Sequence, residues 1–161
     1  MIKSFALSLA LAFGASAAER AEDRWALADL YPSVQAYRED AARLQAELES
    51  FGACRGHLAE SAARLKSCLE RYSSFSKRLA RLDVYASQLL AEDTGVAESL
   101  ELNEQARRLR SDREQASAFL RPELLRAGRA RIDKLVAEDA GLRAYRHYLD
   151  DILRMAPHTL D

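Results

Sequence analysis

His57, His147 and His158 are the only histidines in this 161-residue chain, and any imidazole chemistry must start from them. His57 is followed by Leu-Ala-Glu-Ser, which places a carboxylate three residues on but no second histidine. His147 precedes Asp150 and Asp151 by one helical turn. That spacing can bind a metal or tune a proton transfer, but it more often makes a surface pair. His158 lies beside Pro157 and reads as a turn or docking residue. None of the three stands in His-Glu-x-x-His, the pattern that sets two imidazoles on one helix face with a general base between them. The acid pairs Glu92-Asp93, Glu138-Asp139 and Asp150-Asp151 diverge in direction on a helix, so solvation is their default reading. A Gly-rich phosphate loop, a Gly-x-Ser-x-Gly elbow and a plausible Cys/His pair are all missing. The sequence thus offers no catalytic residue and no metal ligand, and it leaves substrate-binding residues unknown.

Two further residue types deserve weighing. Cys54 and Cys68 fit no zinc spacing. Cys54 falls in an expected turn and Cys68 well inside an expected helix, so a bridge would need the turn to fold back. The reading favours two buried or half-buried thiols; the alternative is a disulfide, which an exported chain permits. Trp25, the one tryptophan, precedes Leu27, Leu30 and Tyr31. It could form a substrate wall, but a hook that pins the N-terminal segment to the rest of the fold is preferred.

Residues 1–18 read as a signal peptide. Lys3 gives a positive start, Phe5 to Phe13 is a short apolar run, Gly14 breaks it, and Ala15-Ser-Ala17 supplies small residues for cleavage after Ala17 or Ala18. The run is too short to span a bilayer, so no permanent membrane anchor is expected. The mature chain is expected in the periplasm or the medium. Residues 19–161 suffice for one compact domain. With 24 basic and 25 acidic residues the charge nearly balances, and the arginine clusters at 107–110 and 126–131 are interleaved with acids. Nucleic acid is not an expected partner.

Ala, Leu, Arg and Glu dominate, and no window alternates apolar and polar residues. The fold class is all-α: an antiparallel helical bundle of four to five helices, two of them long. Ser33 caps a helix over about 34–51, whose stripe is Tyr37, Ala41, Leu44, Leu48 and Phe51. A second helix covers about 59–92, with a stripe from Leu65 and Leu69 through Phe75, Leu79 and Leu82 to Leu89. A third runs over about 96–120 and is expected to stop at Arg121-Pro122. A short turn at 123–125, a short helix over 132–138 and a last helix over 142–155 follow. Thr159 reads as the N-cap of an element that would lie beyond Asp161.

Several fragments resemble one family in order and spacing. They are Trp25-x-Leu-x-Asp-Leu-Tyr-Pro-Ser33, Gly56-His-Leu-Ala-Glu60, Leu82-Asp-Val-Tyr-Ala-Ser87, Glu92-Asp-Thr94, Phe119-Leu-Arg-Pro-Glu-Leu124 and Tyr145-Arg-His-Tyr-Leu149. Together they resemble the N-terminal helical region of oligoendopeptidase F-like zinc metallopeptidases of the thimet-oligopeptidase type. The resemblance implies an all-α fold with a deep cleft and a catalytic domain far downstream. In that domain two histidines of one helix and a later glutamate hold zinc, and the motif glutamate activates water. It also implies that this region is a wall or lid admitting short peptides. No catalytic position of the family has a counterpart here, so zinc is expected only in a full-length parent. The partner implied is the C-terminal catalytic domain.

Two readings follow. In the first, the chain is the N-terminal part of an exported zinc oligopeptidase and is inactive alone. In the second, it is a stand-alone exported helical module that binds peptides without enzymatic activity. The first expects apolar, exposed faces toward the missing domain, with Tyr72, Tyr85, Phe119 and Tyr148 as candidates.

Overall fold

The first two α-helices start at serine caps. Ser33 Oγ accepts a hydrogen bond from the Ala36 N–H at 3.1 Å and opens α1, Val34–Ser50. Ser61 Oγ does the same for the Arg64 N–H at 3.1 Å and opens α2, Ala62–Glu92. Each hydroxyl satisfies an amide that has no acceptor within the helix. The remaining helices are α3, Ala97–Ser117, α4, Leu120–Glu138, and α5, Arg146–Arg154. Short 3-10 turns at Leu27–Asp29, Phe51–Cys54, Ala140–Tyr145 and Ala156–His158 join or flank them. The computed structural model describes residues 25–158. The leader over 1–18, its cleavage at Ala17 or Ala18 and the Thr159 cap lie outside the described residues. Among the described residues no helix is long and apolar enough to cross a membrane.

Helix α2 has 31 residues, a length of about 46 Å, and is the spine of the fold. Helices α1 and α3 lie along it and against each other. Arg38 on α1 reaches Glu98 and Glu101 on α3, at 3.3 and 3.2 Å. On α2, Arg78 reaches back to Asp40, and Arg71 to Ser50. Helices α1, α2 and α3 therefore run up, down and up, with α2 antiparallel to both neighbours. Helix α5 returns along the second half of α4, where Arg129 meets Asp150 at 2.6 Å and Asp133 meets Arg146 at 2.9 Å.

The expected stripes are the observed core. Tyr37, Ala41, Leu44, Leu48 and Phe51 are all buried, as are Leu65, Leu69, Phe75, Leu79, Leu82, Tyr85 and Ala86 of α2. Of the four aromatics expected on an exposed apolar face, Tyr85 and Phe119 are buried and only Tyr72 and Tyr148 stay partly open. Tyr85 stacks on Tyr37 with ring centroids 5.4 Å apart, and Phe119 lies 5.5 Å from Phe51. Both are wholly used inside the bundle.

Three local expectations are corrected. Pro122 does not end a helix; it lies in the first turn of α4, where its missing N–H costs no intrahelical bond. The chain pauses only at Ala118 and Phe119 before restarting, so 120–127 is helical rather than a turn. The real break is Gly128, with φ 75° and ψ 164°, which divides α4 into two pieces. Helical spacing cannot reveal such a break, because Leu124 and Ile132 stay buried on either side of it.

The third correction concerns the cysteines. Cys54 and Cys68 are joined in a disulfide, with Cα atoms 6.0 Å apart. The turn does fold back, and side chains of α2 draw it in. Arg64 donates to the Ala53 carbonyl at 3.1 Å and Arg71 to Ser50 Oγ at 2.8 Å, while Phe51 packs edge-on to Phe75 at 5.2 Å.

Two stability predictions follow from these turns. Replacing Gly128 by Ala puts a Cβ on a backbone that side chains rarely adopt, and an unfolding titration is expected to show a loss of about 1–3 kcal/mol. Reducing the disulfide, which closes a loop of sequence separation 14, is expected to lower the unfolding free energy by about 3 kcal/mol. Urea titrations with and without reductant, compared with a Cys54→Ala, Cys68→Ala chain, measure it. Coincident curves would contradict it.

Candidate functional site

The sequence-flagged chemical residues do not converge. His57 Nδ1 lies 2.5 Å from Glu60 Oε1 in an exposed turn. The His147 pair does not form. Asp150 is taken by Arg129 at 2.6 Å and Arg146 at 2.9 Å, and Asp151 by Arg154 at 2.6 Å. Those guanidinium hydrogen bonds hold the Asp150 carboxyl below the usual carboxylate range. His158 is exposed in the last 3-10 turn. Asp93 and Asp139 are turn caps: the Oδ1 of each accepts from the N–H two residues on, Gly95 and Gly141, at 2.7 Å. Among the described residues, no three His, Cys, Asp or Glu side chains are grouped so as to hold a metal ion.

Trp25 does not pin the N-terminal segment, since 61 % of its surface is exposed. Tyr31 does that work. Its ring is buried edge-on to Tyr37 and Tyr85, at 5.6 and 5.4 Å. Arg81 covers its face at 4.4 Å. Its hydroxyl donates to Asp40 Oδ2 at 2.7 Å. Arg78 closes the network, donating to Asp40 Oδ1 at 2.8 Å and to both Glu47 oxygens at 2.7 Å. Burial pushes the Tyr31 phenol far up, with the Asp40 hydrogen bond adding to it. Burial also pushes the Asp40 carboxyl up, but the hydrogen bonds from Tyr31 and Arg78 outweigh it, and the net shift is downward.

A second concentration of polar side chains lies where α2, α3, α4 and α5 meet. A cleft of about 240 Å³ there is lined by Tyr72, Arg113, Arg121 and Tyr148 over an apolar floor that includes Leu120 and Ile152. The Tyr72 and Tyr148 rings lie 6.1 Å apart. Arg113 sits over the Tyr72 ring at 5.8 Å, and its Nη1 reaches Tyr72 Oη and Ser76 Oγ only at 3.3 Å. Arg113 Nε is buried with no hydrogen-bond partner. Among the described residues its guanidinium is ion-paired only with Glu114, 3.8 Å away and largely exposed. Burial raises the Tyr148 phenol to about 12, so it keeps its proton at neutral pH.

Arg113 was missed because stripe reading looks for apolar residues. A signal was present, however. Leu102, Ala106, Leu109, Arg113, Ala116 and Leu120 recur at steps of three and four, and Arg113 is the one charge in that row. An arginine on a core stripe marks either a buried pair or a recess.

Comparison with known proteins gives a consistent picture. A family described as Oligopeptidase F matches residues 123–161. Oligopeptidase PepF of Bacillus subtilis is 30% identical over 141 residues, which cover 88% of this chain and 21% of that protein. Oligoendopeptidase F from Lactococcus lactis subsp. cremoris is 28% identical over 137 residues, 84% of this chain and 23% of its own length. The crystal structure of oligoendopeptidase-F from Enterococcus faecium superposes with a TM-score of 0.72 at 26% identity, covering 80% of this chain and 26% of that one. The chain thus spans about a fifth to a quarter of the length of these relatives.

The Asp40 network generates a pH prediction. The folded pKa lies below the unfolded value of about 3.9, so its contribution is present above that value and is lost as pH falls through the folded one. Unfolding titrations at pH 7 and pH 3 should show the loss. Asp40→Asn should remove about 1–3 kcal/mol at pH 7 and narrow the difference between the two pH values. An unchanged difference would rule out Asp40 as a contributor.

Proposed function

We propose that this chain, which corresponds to the N-terminal helical region of oligoendopeptidase F-like proteins, forms a non-catalytic cleft wall or lid of an exported zinc oligopeptidase acting on short peptides. The observation that carries the reading is the ordered likeness over most of this chain, set against its small share of each relative. Zinc would be held elsewhere in the parent. The donor set among the described residues does not fit it, because no three such side chains are grouped, Glu60 pairs only with His57 in an exposed turn, and Asp150 and Asp151 near His147 are engaged by arginines. No step of hydrolysis is therefore assigned to these side chains. What they supply is shape: a wall of packed helices with polar recesses between them. Export to the periplasm or medium belongs to the same proposal and rests on the pattern of residues 1–18. The Cys54–Cys68 bridge supports it, since such bonds persist in oxidising compartments.

Reading the coding DNA past codon 161 tests the proposal. An in-frame His-Glu-x-x-His with a downstream glutamate is expected. A confirmed stop codon with no such motif in any nearby frame would overturn the peptidase assignment and leave a peptide-binding module. The isolated chain is expected to show no peptide hydrolysis with added zinc, measured on a quenched fluorescent peptide. Zinc-dependent turnover would overturn the non-catalytic role.

A further inference from the structure

The cleft among α2, α3, α4 and α5 is lined by two arginines, two tyrosines and two acids, Glu114 and Asp151. Arg113 Nε has no partner. Arg121 is exposed at the rim and makes no ion pair with any described residue. The hydroxyls of Tyr72 and Tyr148 donate to no described group, although Tyr72 Oη accepts from Arg113. The two acids each have an arginine partner, and the pair between Glu114 and Arg113 is long, at 3.8 Å. Asp151 is bound to Arg154 at 2.6 Å, and Glu114 points its charge largely to solvent. One guanidinium held only by a 3.8 Å contact to Glu114, a second with no ion pair among the described residues, and two phenols thus share one recess. A planar, singly charged anion with two acceptor oxygens satisfies that set, because guanidinium forks match carboxylates in geometry. Leu120, Ile152 and the two phenol rings add an apolar floor. The space of about 240 Å³ equals on the order of eight water molecules, which suits the end of a chain rather than its middle.

We propose that this cleft binds the free C-terminal carboxylate of a short peptide, with Arg113 and Arg121 pairing the carboxylate and Tyr72 and Tyr148 donating to it. The choice of a peptide as the carboxylate's carrier rests on the oligopeptidase reading above. The chemistry of the site does not.

The test uses the chain itself and three probes: the tripeptide Ala-Ala-Phe as free acid, the same peptide as its C-terminal amide, and Ala-Glu-Phe amide. Binding is followed by the ring resonances of Tyr72 and Tyr148. The free acid is expected to bind saturably, at least tenfold more tightly than either amide. Arg113→Gln is expected to abolish that preference. Arg121→Gln, an exposed substitution that the fold tolerates, is expected to weaken it several-fold. Equal binding of acid and simple amide, or no shift of either ring, would overturn the proposal. So would an unchanged preference in Arg121→Gln. Equal binding of the free acid and the glutamate-bearing amide would overturn the C-terminal assignment. The outcome is separable from the peptidase reading. An in-frame zinc motif without acid preference sinks only the cleft, and acid preference without the motif sinks only the peptidase.

Discussion

Helix α2 touches the N-terminal 3-10 turn, α1, α3, α4 and the Ala140–Tyr145 turn, so one cylinder must pack on several sides at once. Apolar residues alone cannot do this on a helix that also meets water at its edges. The solution is a stripe of Leu65, Leu69, Phe75, Leu79 and Leu82 flanked by arginines whose stems pack while their heads pair. Arg71 lies over Phe51 and Phe75, Arg78 grips Asp40 and Glu47, and Arg81 covers Tyr31 while donating to the Leu30 carbonyl. These contacts fix how far α1 and the N-terminal turn slide along α2. On the other side, Arg110 meets Asp83 at 2.5 Å and sets the register of α3. Exposed pairs of this kind contribute little energy each. Their value lies in selecting one register among several that leucine stripes would accept.

The bundle was legible because its signals are repetitive. Four residues of α1 and Phe51 just after it, at three- and four-residue steps, all proved buried, and the serine caps marked two of the starts. What stayed hidden depended on single residues acting against their usual sense. Pro122 reads as a stop, yet it is harmless in a first turn, and only the tertiary position of Phe119 decides that the helix restarts there. Gly128 is silent in a pattern of apolar spacing. The disulfide depended on whether a four-residue turn bends back, which Arg64 and Arg71 decide from another element. The candidate cleft was half visible: Tyr72 and Tyr148 were singled out as aromatics with an open face, but Arg113 between them was not.

The restart after Ala118 also explains why a recess exists at all. A straight continuation of α3 would carry 119–127 away from α2. The break instead turns Phe119 inward against Phe51 and brings Leu120 and Arg121 beside Tyr148. Arg55 rests on the Phe119 ring at 5.4 Å, so the corner is held from both the α1 end and the α2 side. The cleft is a by-product of how two helices are joined, and its walls are the helices of the bundle.

The position of Trp25 has a practical consequence for optical work. The one indole of the chain is mostly in water in the folded state. Its emission is then already that of a solvated chromophore, and global unfolding changes it little. Fluorescence from this residue reports on what approaches the N-terminal corner formed with Tyr31, Pro32 and Leu89. A blue shift there signals a covering surface, and melting of the bundle must be followed by helix ellipticity or by the tyrosines.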